Sequence, residues 1–140
     1  MRASLEALEY ALEALEYAAG SPAGLAVYAS PYRYALAPHL KLLNRKLVEA
    51  AFGKIKRLMV SMPPRLGKSE LISHYLPPWY VASFPNRQVI LAGYEATFAA
   101  EWSSKAREVM AEPGSEVFRV NMDEHSASAD GGMSIRKPEA

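Results

Sequence analysis

The sequence predicts an α/β fold, a parallel sheet flanked by helices, with an amphipathic helix at the N-terminus. Three observations predict it. Two short apolar runs, LMVSM at residues 58–62 and QVILAGY at residues 88–94, have the length and near-continuous hydrophobicity of buried strands. Stretches of helical spacing stand before, between and after them. The resulting order, helix, strand, loop, helix, strand, helix, strand, implies parallel strands joined by helical crossovers.

Bulk properties set the bounds. The chain has 140 residues, the length of about one domain, and half of them are apolar. It has no cysteine, which excludes disulfides and thiolate metal sites. No apolar run reaches the ~18 residues of a membrane span, and the glutamate-rich start lacks the layout of a secretory signal. The net charge of +1 hides an asymmetry. In residues 33–68, nine cations (Arg33, Lys41, Arg45, Lys46, Lys54, Lys56, Arg57, Arg65 and Lys68) stand against Glu49 alone, whereas Glu6, Glu9, Glu13 and Glu16 face only Arg2 in residues 1–20. Such a basic block suits a polyanion, nucleotide or nucleic acid; a solvated helix face accounts for it equally well.

The elements follow in order. Residues 5–18 read LEALEYA twice. Leu5, Leu8, Leu12 and Leu15 fall on one stripe of an amphipathic helix, ended by Gly20-Ser21-Pro22. Two heptads fall short of a coiled coil, so residues 1–20 read as a docking helix or an arm that contacts a neighbouring subunit. Residues 20–34 look irregular, with Pro22, Gly24 and Pro31. Residues 38–52 are helical: Leu40, Leu43, Leu47, Val48 and Ala51 form the apolar face and Gly53 the stop. The first strand then runs into Pro63-Pro64. From Lys68 a helix buries Leu71, Ile72, Tyr75 and Leu76, and Pro77-Pro78 interrupts it. A short turn of helix follows at residues 79–84, then a turn at Pro85-Asn86 and the second strand. Residues 96–110 form a helix with Phe98, Trp102, Ala106 and Val109 inward. Pro113-Gly114 makes a turn, residues 117–122 suggest a third strand, and residues 125–140 are polar and weakly structured.

Between the first strand and its helix lies MPPRLGKSE, residues 62–70. Gly67-Lys68-Ser69 closes a phosphate-binding P-loop, G-x-x-x-x-G-K-[ST], but Met62 stands where the first glycine belongs. A P-loop needs backbone N–H groups turned inward above a helix N-terminus, a lysine for the outer phosphates and a hydroxyl for Mg²⁺. Without the first glycine and with two prolines that lack N–H, the cradle comes from Arg65, Leu66, Gly67, Lys68 and Ser69. Arg65 adds a guanidinium for the γ-phosphate, like an arginine finger supplied in cis. In a parallel α/β sheet, ligands bind outside the carboxyl ends of the strands, where this loop falls. The alternative is a basic strand-to-helix turn.

Residues 62–110, MPPRLGKSELISHYLPPWYVASFPNRQVILAGYEATFAAEWSSKAREVM, resemble the ATPase domain of tailed-phage terminase large subunits. That family carries a deviant Walker A of the type M-P-P-R-x-G-K-S-E. An aromatic segment and a proline follow, then a strand ending in tyrosine, here Tyr94, and a helix. Residues 38–60 are similar to the family's lead-in helix and first strand. The LEALEYA duplication has no counterpart there. The resemblance implies a P-loop NTPase-type sheet, left incomplete by a chain of this length, with residues 21–140 as the N-terminal part of the ATPase domain. It implies a motor that hydrolyses ATP to drive double-stranded DNA into a procapsid in the cytoplasm of an infected bacterium. The family's partners are a portal and a small terminase subunit, and its motor is a homo-oligomeric ring. ATP would be held by Pro64, Arg65, Leu66, Gly67, Lys68, Ser69 and Glu70. Lys68 would neutralise the β- and γ-phosphates, Arg65 would stabilise the γ-phosphate, and Ser69 would ligate Mg²⁺.

Hydrolysis also needs a Walker B strand ending in Asp-Glu. Asp123-Glu124 is the sole Asp-Glu pair, and Arg119 and Asn121 interrupt the run before it; a half-exposed strand entering a turn fits it as well. No nuclease domain fits in this length, so the chain is expected to bind nucleotide without turning it over alone. His39, His74 and His125 match no metal-ligand spacing. His74 reads as structural, and His39 lies where an adenine-contacting segment would. Trp79, Tyr80 and Trp102 read as core. Two other functions compete with the motor: a helicase-like translocase, or a non-catalytic interaction module whose Leu/Glu helix binds a partner while the loop is idle.

Overall fold

The computed structural model describes residues 2–30, 34–122 and 135–136. It overturns the expected parallel sheet. Among the described residues the chain is helical, and its one sheet is a two-residue antiparallel pair, β1 (Asn121–Met122) with β2 (Ile135–Arg136).

Helix α1 (Arg2–Gly20) turns at Ser21 into α2 (Pro22–Ala29), within the stretch that reads as irregular. The apparent breakers there start the helix. Ser21 accepts a hydrogen bond from the Gly24 N–H (3.0 Å), and Pro22 sits in the first turn, where no N–H is needed. Gly24 lets the two helices close on each other, because a Cβ there would run into the Tyr17 carbonyl. Helix α2 is apolar all round, which suits an element buried on every side, and residues 22–26 are buried.

Helix α3 (Pro38–Ala51) buries Leu40, Leu43, Leu47 and Ala51, as its spacing predicts, and stops at Gly53 with φ 80°. After the loop, a π-helical turn (Glu70–Tyr75) passes directly into α4 (Leu76–Ser83). Pro77 and Pro78 therefore do not break the chain's helical course. They occupy the first turn of α4, and the wider π register precedes them. Helix α5 (Ala96–Val109) continues through a second π-helical turn (Met110–Gly114), which absorbs the expected turn at Pro113-Gly114, into α6 (Ser115–Phe118).

Three clusters form the core of the described residues, the smallest being Ala82, Met110 and Val120. Leu25, Ala26, Ala51, Tyr75, Trp79 and Val109 join α2, α3, α4 and α5, and Ala23, Leu40, Leu43, Leu47 and Leu71 join α2, α3 and the π-helical turn. Tyr34 packs edge-on against Tyr75 at 5.6 Å, and its buried hydroxyl has no partner among the described residues. Burial, then the charges of Tyr75 and Glu70, push the Tyr34 phenol up to about 12. The folded state thus holds this proton more tightly than the unfolded chain does. The resulting stability is complete below pH 10 and is lost as pH rises towards 12. Tyr34→Phe should be neutral or stabilising by about 1 kcal/mol, because it removes a buried unpaired hydroxyl. It should also move alkaline unfolding, followed by circular dichroism, to higher pH.

The helices fill most of the core with one another; of the expected strands, Val60 and Met62 reach it from the first, and residues 88–94 are largely exposed. Residues 58–62 and 88–94 take part in no ladder among the described residues. Met59 is 94% exposed, Ile90 91% and Tyr94 89%. The third expected strand splits: Val117 and Phe118 close α6, Arg119 takes a left-handed φ of 51°, and only Asn121 and Met122 pair. Ile90→Lys should accordingly change stability by no more than ~0.5 kcal/mol. A denaturant midpoint shifted by several times that amount would put Ile90 in a buried sheet.

Candidate phosphate-binding loop

Residues 62–70 are built onto the N-terminal half of α3. Val60 and Met62 pack against the Leu40–Leu43–Leu47–Leu71 cluster, so the methionine at the first-glycine position anchors the loop. The His39 Nε2–H donates to the Leu66 carbonyl at 3.1 Å. Gly67 lies on Leu40, whose Cδ1 would meet an added Cβ at 3.2 Å.

The backbone of the loop is unusual. Arg65 has φ 64° and Gly67 φ 80°, both left-handed, on either side of Leu66. For arginine that conformation costs about 1–2 kcal/mol. Left-handed residues interleaved with right-handed ones turn successive N–H groups to one side and form an anion-binding concavity. The helical run begins at once, with the Leu71 N–H bonded to the Gly67 carbonyl at 3.0 Å. Lys68, Ser69 and Glu70 therefore hold the first-turn N–H groups, which have no acceptor within a helix, at the positive end of its dipole. The Ser69 side chain is not spent on capping.

Glu70 is held four residues on by His74, with Nδ1 2.7 Å from Oε1. The imidazole stacks on Tyr75 at 4.3 Å and meets Trp102 edge-on at 6.3 Å. Pro64, Arg65 and Leu66 are exposed, and residues 67–70 are half-buried.

The structure thus places Pro64, Arg65, Leu66, Gly67, Lys68, Ser69 and Glu70 in one strained turn and the first helical turn after it. It adds His39, which ties α3 to the loop, and Leu40, which floors it. The sequence offers no signal for those two contacts, because they span 27 residues. The Glu70–His74 pair was available from its i,i+4 spacing. Trp79 is core, 2% exposed. Asp123-Glu124 lies outside the described residues, among which no group of three His, Asp or Glu is placed to hold a metal ion. Ser69 is the one hydroxyl in residues 64–70, the group through which a Mg²⁺ on a bound nucleotide would be held.

Comparison of the chain with protein-family models, with curated proteins and with solved structures finds no match. Among the described residues, no helix is long and apolar enough to cross a membrane.

Proposed function

We propose that residues 64–70 bind the phosphates of Mg·ATP, and that the chain is the ATP-binding portion of a DNA-packaging ATPase of the terminase large-subunit type. One observation carries the reading: a non-glycine residue, Arg65, held left-handed two positions before a left-handed glycine, at the onset of a helix. Backbone strain of that kind clusters at ligand-binding turns. Lys68 meets the β- and γ-phosphates, Arg65 the γ-phosphate, and Ser69 the Mg²⁺. The reading draws on the loop and on the M-P-P-R-x-G-K-S-E resemblance, and the sheet has no part in it. Double-stranded DNA, a portal, a small subunit, a ring and a bacterial-host setting follow from the same resemblance. The exposed cations Lys41, Arg45, Lys54, Lys56 and Arg57 suit the DNA part. The test is calorimetric titration of the 140-residue chain with Mg·ATP and Mg·ADP.

A second reading, an interaction module with an idle loop, is favoured by the exposed leucine stripe of α1. Absence of nucleotide binding by a folded chain would select it.

A further inference from the structure

Two apolar surfaces of opposite surrounding charge stand open among the described residues. The first is α1. Leu5, Leu8 and Leu12 are 60%, 57% and 50% exposed, with Glu6, Glu9, Glu13 and Glu16 beside them. The helix is anchored at its far end, where Ala18 is buried and the Ala19 carbonyl accepts the Trp79 Nε1–H at 2.8 Å. The second is an open groove of about 460 Å³, walled by α3, residues 58–60, the first π-helical turn and α4, through Leu47, Ala50, Leu58, Val60, Ile72 and Leu76. Its rim is basic. Arg87 Nη1 donates to the Ala51 carbonyl (2.9 Å) and to Tyr80 Oη (3.2 Å), which fixes a guanidinium at the groove's edge. Lys54 and Arg57, both exposed, lie on the segment leading from α3 to Leu58. The nearby Glu49 is already paired with Lys46 at 2.7 Å.

We infer that the leucine stripe of α1 from one copy of the chain docks into this groove of a second copy, with its glutamates against Arg87, Lys54 and Arg57. Leucines at spacings of 3 and 4 present one face of about two turns, the form in which an amphipathic helix enters an apolar groove. Charge selects the partner. Two α1 helices face to face would bring two sets of four glutamates together, whereas the groove offers cations and an apolar floor. The inference is independent of nucleotide binding, so failure of either leaves the other standing.

Sedimentation equilibrium of the intact chain tests it. Reversible self-association that weakens with added salt is expected. Glu9→Lys/Glu13→Lys and Lys54→Glu/Arg57→Glu should each raise the dissociation constant at least about tenfold. All four substitutions together in one chain should recover most of that loss. These positions are exposed, and circular dichroism checks that the helices are retained. A chain that stays monomeric up to its solubility limit at low salt overturns the inference. So does a rim variant that associates like the parent, which would place α1 against another α1. So does a fourfold variant no better than the two twofold ones.

Discussion

Trp79→Ala should cost about 3–5 kcal/mol, the range for removing a buried aromatic. Trp79 is 2% exposed and packs with Leu25, Ala26, Ala51, Tyr75 and Val109, so its ring touches the cluster that joins four helices. It meets Phe84 edge-on at 6.2 Å. Its Nε1–H also reaches 60 residues back to the Ala19 carbonyl, which ties α4 to the end of α1. A domain of this size has roughly 5–15 kcal/mol in total, so the variant should approach or cross the threshold of folding. Trp79→Phe separates the two contributions. It keeps most of the apolar volume but leaves the Ala19 carbonyl without its donor, and should cost about 1–3 kcal/mol. Urea unfolding gives both numbers, with the slope unchanged if only stability is altered. A loss below ~1 kcal/mol for Trp79→Ala would mean that this cluster is not the centre of the fold.

Some of this architecture was legible in the sequence, and the boundary has a physical cause. Helix α3 was, because Leu40, Leu43, Leu47 and Ala51 are buried along one stripe and Gly53 takes the left-handed stop. The inward face of α5 was legible at Ala106 and Val109, both buried, but Phe98 at its start is 36% exposed. Helix α2 was not. A helix that is apolar all round has no period to read, and Pro22 and Gly24 look like breakers until Ser21 and Tyr17 are seen beside them. The sheet was misread for a related reason. The runs at residues 58–62 and 88–94 report only their own length and hydrophobicity. Whether a ladder forms depends on partners distant in sequence, and among the described residues those partners are not alongside. Likewise, the leucine spacing of α1 announces a stripe but not what covers it. At the loop, the start of a helix at Lys68 with Leu71 and Tyr75 inward was legible from spacing, whereas the left-handed turn at Arg65 was not, because nothing in an arginine announces a positive φ. Nor was the hydrogen bond from His39 that steadies the loop.

Substitutions in that loop should separate binding from strain. Lys68→Ala should weaken Mg·ATP binding about ten- to a hundredfold, which corresponds to losing one charge-assisted contact of ~1.5–3 kcal/mol. It should leave the fold intact, because Lys68 is half-exposed on a first helical turn and alanine is a good helix former. Gly67→Ala should damage both properties. At φ 80° a side chain is strained by about 1–2 kcal/mol, and its Cβ would press on the buried Leu40 at 3.2 Å. Arg65→Gly should divide them. Glycine relieves the left-handed strain at φ 64° but brings its own entropy, for a net gain of up to about 1 kcal/mol. The same change removes the guanidinium, so the preference for ATP over ADP should disappear while ADP binding persists. A variant more stable than the parent yet blind to the γ-phosphate would mean that the strain at Arg65 is retained for the ligand. If instead Lys68→Ala binds Mg·ATP as the parent does, residues 64–70 hold no phosphate, and the left-handed arginine is only the turn that starts a helix.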